Sequence, residues 1–257
     1  MQPPPRFNVL GVGVHALNLT AACKQVVDAA SGTVPGYVGL CDVNSVSCAR
    51  RDPKHLAILN HSLLTTPDGM PLVWLGKHAG HKTVGRVYGP DLMLEICRAS
   101  AGTNLTHFFY GGGPGTADAL ATNLQSRFPG LKVAGTHCPP FRPLTTDEAG
   151  ELEKRMHEIR PNFFWVGLST PKQEAFMAEY SSRLQVPVML GVGAAFDFFS
   201  GRIAQAPRWI QRSGFEWFWR LCAEPRRLAP RYFKNNPLFV LRVFAQRTGL
   251  RKYPANY

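Results

Sequence analysis

The sequence has no C-x-x-C pair among its six cysteines and no histidine partner at zinc spacing. That argues against both a disulfide framework and a metal site, and leaves reduced, mostly buried thiols. No uncharged apolar run reaches the ~18–20 residues that a membrane-crossing helix needs, and no basic segment followed by an apolar stretch opens the chain. A cytoplasmic location is therefore expected. Internal repeats and low-complexity linkers are absent too, and only Met1 to Pro5 resembles a tail. Acidic residues are scarce, 17 against 29 lysines and arginines.

What is present describes a folded chain. A hydrophobic share of 45% with 18% charged residues is globular rather than disordered. A length of 257 residues suits one α/β body with a small appendage. The net charge of +12 is unevenly placed. Residues 202–257 hold ten arginines and two lysines against two glutamates, a net +10, so residues 1–201 carry only +2. In the same stretch Trp209, Phe215, Trp217, Phe218, Trp219, Tyr232 and Phe233 interleave with the arginines. We place a boundary near 201, with a catalytic domain over 1–201 and a membrane-binding appendage over 202–257. Helices broken around Pro225, Pro230 and Pro237 are expected in the appendage.

The body alternates short β-rich runs with helical patterns. Phe7 to Val12, Tyr37 to Cys41, Leu63 to Thr66, Thr106 to Tyr110, Asn162 to Val166 and Val186 to Leu190 read as strands. Leu17 to Ala30, Pro90 to Ala99, Thr116 to Arg127, Thr146 to Ile159 and Lys172 to Arg183 read as helices. Most strands end in glycine or another turn former and lead into a helix. The fold class expected is α/β, a largely parallel, Rossmann-like sheet with helices on both faces and a short helical C-terminal appendage. Ligands of such sheets sit beyond the carboxyl ends of the strands, where Asn44, Asp68, Gly111 to Gly113, Gln173 and Asp197 fall.

Each of these positions has a chemical and a plain reading. Asp68, in Pro67-Asp68-Gly69, can take a proton from an attacking hydroxyl, although the tripeptide is also a common turn. Gly111, Gly112 and Gly113 precede a helix, so their backbone N–H groups can approach a phosphate at a positive helix end, or simply form a tight turn. Lys172 and Gln173 open another helix and can reach a diphosphate, or form a solvated first turn. Asp197, after Gly191-Val192-Gly193, can bind uracil or ribose edges, or cap a helix. No D-x-D pair exists to hold a divalent ion on a diphosphate, which favours neutralisation by arginine, lysine and helix dipoles.

Two other classes compete. Gly11-Val12-Gly13-Val14-His15-Ala16 fits G-x-G-x-x-[GA], the fingerprint of a nicotinamide oxidoreductase, but Asp42 lies beyond the usual ~20 residues and the cationic tail is left unexplained. A nucleic-acid-binding module accounts for the tail and leaves the strand-end motifs idle.

Six strings in order together resemble the WecG/TagA/CpsF family of bacterial glycosyltransferases. They are Thr66 to Pro71, Arg86 to Leu92, Pro139 to Arg142, Val166 to Glu174, Gly191 to Asp197, and Glu216-Trp217 through Glu224 to Arg227 and on to Arg231-Tyr232. The resemblance runs from about Phe7 to Phe239. It implies an inverting, metal-independent enzyme without a cofactor that moves a sugar from a UDP donor to a polyprenyl-diphosphate-linked sugar at the inner face of the cell membrane. It implies Asp68 as general base, Asn44 beside the sugar, Arg86 and Gln173 near the donor's sugar and phosphates, and Asp197 near the nucleobase. Arg220, Arg227 and Arg231 fall in an appendage that folds over the site and supplies arginines to the diphosphate. UDP-N-acetylmannosamine, its uronate and UDP-glucose all remain open as donors, and self-association is left open. Asp42 departs from the pattern, standing where some members carry threonine; if close to Asp68, it would raise that residue's pKa.

Overall fold

The computed structural model describes residues 4–255 and Tyr257, so the first three residues of the Met1–Pro5 tail lie outside the described residues. In chain order the elements are β1 (Arg6–Val9), β2 (Val12–His15), α1 (Leu19–Ala30), β3 (Gly36–Cys41), α2 (Val43–Ala49), α3 (Pro53–Asn60), β4 (Leu64–Pro67), α4 (Met70–His78), α5 (Gly89–Ser100) and β5 (Thr106–Gly111). There follow α6 (Thr116–Arg127), β6 (Lys132–His137), α7 (Thr146–Ile159), β7 (Phe163–Gly167), α8 (Lys172–Leu184), β8 (Val188–Gly191), α9 (Ala195–Phe199), α10 (Arg208–Ser213), α11 (Glu216–Ala223) and α12 (Pro225–Arg247).

Six strands form one sheet in the order β4-β3-β8-β7-β5-β6, all pairs parallel. Buried on both faces, the inner strands β3, β8, β7 and β5 are largely apolar runs, and successive side chains go to opposite layers. Phe109, Phe163, Trp165, Val188 and Leu190 pack with α1, α5, α6 and α9. Phe108, Tyr110, Phe164, Val166 and Met189 pack with α7 and α8. The expected α/β class with helices on both faces is what the chain adopts.

Three local expectations are corrected. The strand read over Phe7 to Val12 is a hairpin: β1 and β2 pair antiparallel across Leu10 and Gly11, both at positive φ. The supposed dinucleotide fingerprint therefore sits in a two-stranded ribbon, not between a strand and a helix. Asn60 bonds the Gly13 N–H and the Gly11 carbonyl, and the Tyr257 ring covers Gly13, so no phosphate approaches there.

The prolines do not break the last helix. Pro225 stands in the first turn, where no intrahelical N–H is needed, and α12 continues through Pro230 and Pro237. The carbonyls those two prolines free belong to Arg226 and Phe233, which are exposed to water. Leu228, Asn235 and Phe239 on the opposite side are buried and hold the helix against the body.

Finally, β6, α2, α3 and α4 were not anticipated. β6 is an only partly buried edge strand whose register against β5 shifts past Ala134. α2 and α3 are short and owe their starts to Asp42 and Asp52, whose carboxylates accept backbone N–H bonds.

Candidate active site

The parallel register fixes the centre of the site. Cys41 of β3 lies opposite Pro67 of β4, so the next residues, Asp42 and Asp68, leave the sheet side by side. The Asp68 N–H donates to the Cys41 carbonyl at 2.9 Å. Asp42 turns into α2, where its Oδ1 accepts from the backbone N–H (2.8 Å) and hydroxyl (3.0 Å) of Ser45. Both carboxylates line a cavity of about 630 Å³ with Asn44, Arg86, Arg220 and Arg231.

Charges in this cavity are paired across the boundary near 201. Arg86 donates Nε–H to the Asp68 carbonyl at 2.6 Å and lies 3.7 Å from the Asp68 carboxylate. Its Nη1 reaches the Glu216 carboxylate of α11 at 2.7 Å, and its guanidinium sits 4.1 Å from the Tyr88 ring centroid. Arg231 meets Asp42 at 3.1 Å, and Asn235 donates to Asn44 at 3.0 Å while accepting from Arg51 at 2.8 Å. Arg220, half-buried, lies 5.9 Å from the Phe198 ring centroid and has no ion-pair partner among the described residues. Residues of the tail thus complete the lining of the cavity.

Burial pushes the Asp68 carboxyl up from 3.8 to about 7; the negative charges of Asp42 and Glu216 add to the rise, and Arg86 and Arg220 oppose it. For Arg86, burial disfavours the charge, but Asp68 and Glu216 outweigh it and its pKa rises. A base with a pKa near 7 accepts a proton efficiently at neutral pH. Because the unfolded value lies near 3.8, the folded chain holds this proton between about pH 4 and 7 when the unfolded chain has lost it. Ionising Asp68 therefore lowers stability as pH rises through that window.

Glu216→Gln removes one of the charges that raise this pKa and frees Arg86 to pair with Asp68. The acidic limb of kcat/KM against pH is expected to move down by about one pH unit. An unmoved limb in the variant would show that Glu216 does not act on the base.

A second group of residues gathers at the same sheet edge, outside this cavity. Gly111 has φ +130°, and an added Cβ would lie 2.7 Å from the Gly167 backbone, so the strand exit is built for glycine. Beyond it the Arg202 guanidinium occupies the space a Gly113 side chain would take and bonds the Pro114 carbonyl at 3.0 Å. Gln173 is buried and donates to the Gly191 carbonyl at 3.2 Å, while its Oε1 has no partner among the described residues. Asp197 is half-buried, and its pKa is raised by burial first and by Glu224, against Arg202, Arg227 and Arg220.

The structure therefore brings Asp42, Asn44, Asp68, Arg86, Arg220 and Arg231 into one cavity, and places Gly111 to Gly113, Gln173 and Asp197 beside it. Arg220 connects the two groups, its charge acting on Asp68 and on Asp197. Two candidates stand apart. Lys172 is exposed, 4.9 Å from the Phe141 ring centroid. Arg227 pairs with Glu224 one turn away at 2.8 Å and does not line the cavity; Arg220 is on α11 and Arg227 and Arg231 are on α12, so the three arginines do not share one helix. Glu216, Arg202, Tyr88 and Asn235 were missed. For Glu216 a signal existed: it is one of only two acids in a segment of twelve cations.

A family model described as "Glycosyl transferase WecG/TagA/CpsF family" matches residues 7–253. An N-acetylglucosaminyldiphosphoundecaprenol N-acetyl-beta-D-mannosaminyltransferase of Bacillus subtilis (strain 168) is 26% identical over 79% of this chain and 77% of its own length. Proteins of the same name from Bacillus spizizenii and Staphylococcus aureus (strain MRSA252) are 27% and 24% identical, over 70% and 80% of this chain and 68% and 79% of their own lengths.

Proposed function

Because the chain belongs to the WecG/TagA/CpsF family of glycosyltransferases, we propose that it moves a sugar, with N-acetylmannosamine the first candidate, from a UDP donor to a polyprenyl-diphosphate-linked sugar during surface polysaccharide synthesis. The names of the relatives support the sugar moved and the class of acceptor. The observation that carries the reading is Asp68 itself: a carboxylate in a cavity at the sheet's carboxyl edge, with a pKa raised to about 7 and an arginine beside it.

In the proposed step the acceptor hydroxyl oxygen attacks the anomeric carbon of the donor. Its proton passes to Asp68, and the bond from the anomeric carbon to the diphosphate oxygen breaks with its electron pair on UDP. A single displacement of this kind inverts the anomeric centre. Asn44 lies where the sugar would sit. The Gly111 to Gly113 loop, Arg202 and the buried, unpartnered Gln173 Oε1 are the groups assigned to the nucleotide, with Asp197 near the base and Lys172 at the rim. The charge that develops on leaving UDP faces Arg220, which is in no direct ion pair among the described residues although Glu216 and Asp42 lie within electrostatic reach, and Arg231. Arg227 is assigned a place beside Asp197 rather than on the diphosphate.

Among the described residues no helix is long and apolar enough to cross a membrane. Attachment to the inner face through the cationic tail is part of the same proposal, each basic residue near an anionic surface contributing about 1 kcal/mol.

The test is a screen of UDP-sugars with a synthetic polyprenyl-diphosphate N-acetylglucosamine acceptor, scored by UDP release. Transfer from UDP-N-acetylmannosamine is expected, at a rate that EDTA changes less than about two-fold, because arginines rather than an ion neutralise the diphosphate. Loss of activity on chelation, restored by Mg²⁺ or Mn²⁺, would overturn the metal-independent reading; no transfer from any UDP-sugar would overturn the substrate assignment.

A further inference from the structure

The cavity that holds Asp68 changes in chemistry along its length, from charged residues at the sheet edge to apolar ones on α4 and α12. On α12 the residues facing it change along the helix: Arg231, Tyr232 and Asn235 come first, then Phe239, Val240 and Val243, then Arg247. These positions recur at three- and four-residue spacing, so they form one face. Across the cavity, Met70, Trp74 and His78 of α4 recur at spacing four and form the opposite wall. From Phe239 to Arg247, and from Met70 to His78, is eight residues, or about 12 Å of helix in each case. Two walls, apolar from Met70 to Leu75 and from Phe239 to Val243 and ending in His78 and Arg247, thus continue from the Asp68 carboxylate.

This trough is not sealed. Val240 lines it and is also 63% exposed, and its neighbours Leu241 and Phe244 are exposed to a similar extent on the outer face of α12. A trough that begins at a base and two arginines and opens at an exposed apolar helix face joins a polar site to a lipid-facing surface.

We propose that the apolar trough between α4 and α12 binds the isoprenoid chain of the acceptor, at the units nearest its diphosphate. The inference rests on the acceptor class proposed above and adds the place of its lipid. It follows from the continuity of the trough with the cavity: an acceptor whose sugar reaches Asp68 and whose diphosphate lies near the tail arginines has its chain directed between these two walls. The chain enters from the side, past Val240, so the substrate need not leave the bilayer completely.

Two measurements test this. First, a prenyl diphosphate bearing a benzophenone near its diphosphate is photo-crosslinked to the full chain in detergent, with an excess of phospholipid in a parallel sample. Labels are expected within Met70–His78 and Phe239–Arg247 and are expected to survive the phospholipid. Labels confined to other segments, or labels that phospholipid removes, overturn the proposal, the latter identifying a general lipid surface. This readout needs no sugar transfer and so stands apart from the assigned reaction.

Second, Val240→Glu puts a charge at an exposed position where folding tolerates it. The ratio of kcat/KM on a long prenyl acceptor to that on a short, water-soluble acceptor with the same diphosphate sugar is expected to fall about ten-fold, the loss of one or two buried methylenes. An unchanged ratio overturns the trough. Failure of the wild-type chain to use either acceptor, with the labels in place, overturns the proposed reaction and leaves the lipid site standing.

Discussion

Asp68→Asn is expected to lower turnover by about 10²–10⁴-fold while the affinity for the UDP-sugar stays within a few-fold of wild type. Asparagine keeps the shape and the backbone bond to Cys41 but cannot accept the acceptor's proton. The size of the effect follows from the environment rather than from the residue type. An exposed aspartate near 3.8 would be a poor base at neutral pH, whereas here burial, Asp42 and Glu216 together raise it to about 7. The wild-type chain should gain activity as pH rises toward that value, and the residual activity of the variant should lose this limb. The same substitution removes the cost of ionising a buried carboxylate, so the variant should melt higher than wild type at pH 8, with a smaller difference near pH 4. Turnover in the variant close to wild type, measured by UDP release at saturating acceptor, would remove Asp68 from the mechanism.

How far the sequence alone leads to this site depends on the kind of signal. Phe163 to Gly167 and Thr106 to Gly111 are apolar runs ending in glycine, and such runs fix a buried parallel strand and its exit. Asp68 after β4 and Asp197 after β8 follow from the same kind of reading, a turn former or glycine at a strand end. What the runs do not contain is the partner of each charge. Arg86 pairs with Glu216 across 130 residues and Arg231 with Asp42 across 189, and nothing local marks either pair.

The misread elements have physical causes of the same type. Leu10-Gly11 is a turn at positive φ inside an apolar run, so the periodicity continues through a hairpin without a break. Pro230 and Pro237 carry a strong local preference against helix interior, which tertiary packing of Leu228 and Phe239 on the other side of α12 overrides. β6 lies at an edge with no fully buried residue, and half-burial gives the weakest pattern.

Arg220→Ala is the substitution that separates the two roles proposed for the cationic tail. Removing residues 202–257 outright would not do so, because Phe239 and Tyr253 complete the apolar cluster of the β1–β2 hairpin and Gln246 accepts from the Leu10 N–H at 3.1 Å. Losing them would unsettle the body as well as the site. Arg220 is half-buried between Asp68 and Asp197 without an ion-pair partner among the described residues, so its charge is available to the leaving diphosphate. That charge grows in the transition state, and an arginine facing it contributes more there than in the bound donor complex. Turnover on a short soluble acceptor is therefore expected to fall about 10²–10³-fold, with KM for the donor changed only a few-fold. Arg226→Ala is the matched comparison, since it removes the same charge from an exposed position in the first turn of α12. Both variants should lose affinity for anionic vesicles by a similar factor, about five-fold for one basic residue, and more salt should weaken both. Only Arg220→Ala should lose turnover in the absence of a membrane. Equal turnover in the two variants on the soluble acceptor would remove Arg220 from the chemistry and leave Arg231 as the one tail arginine assigned to the leaving group.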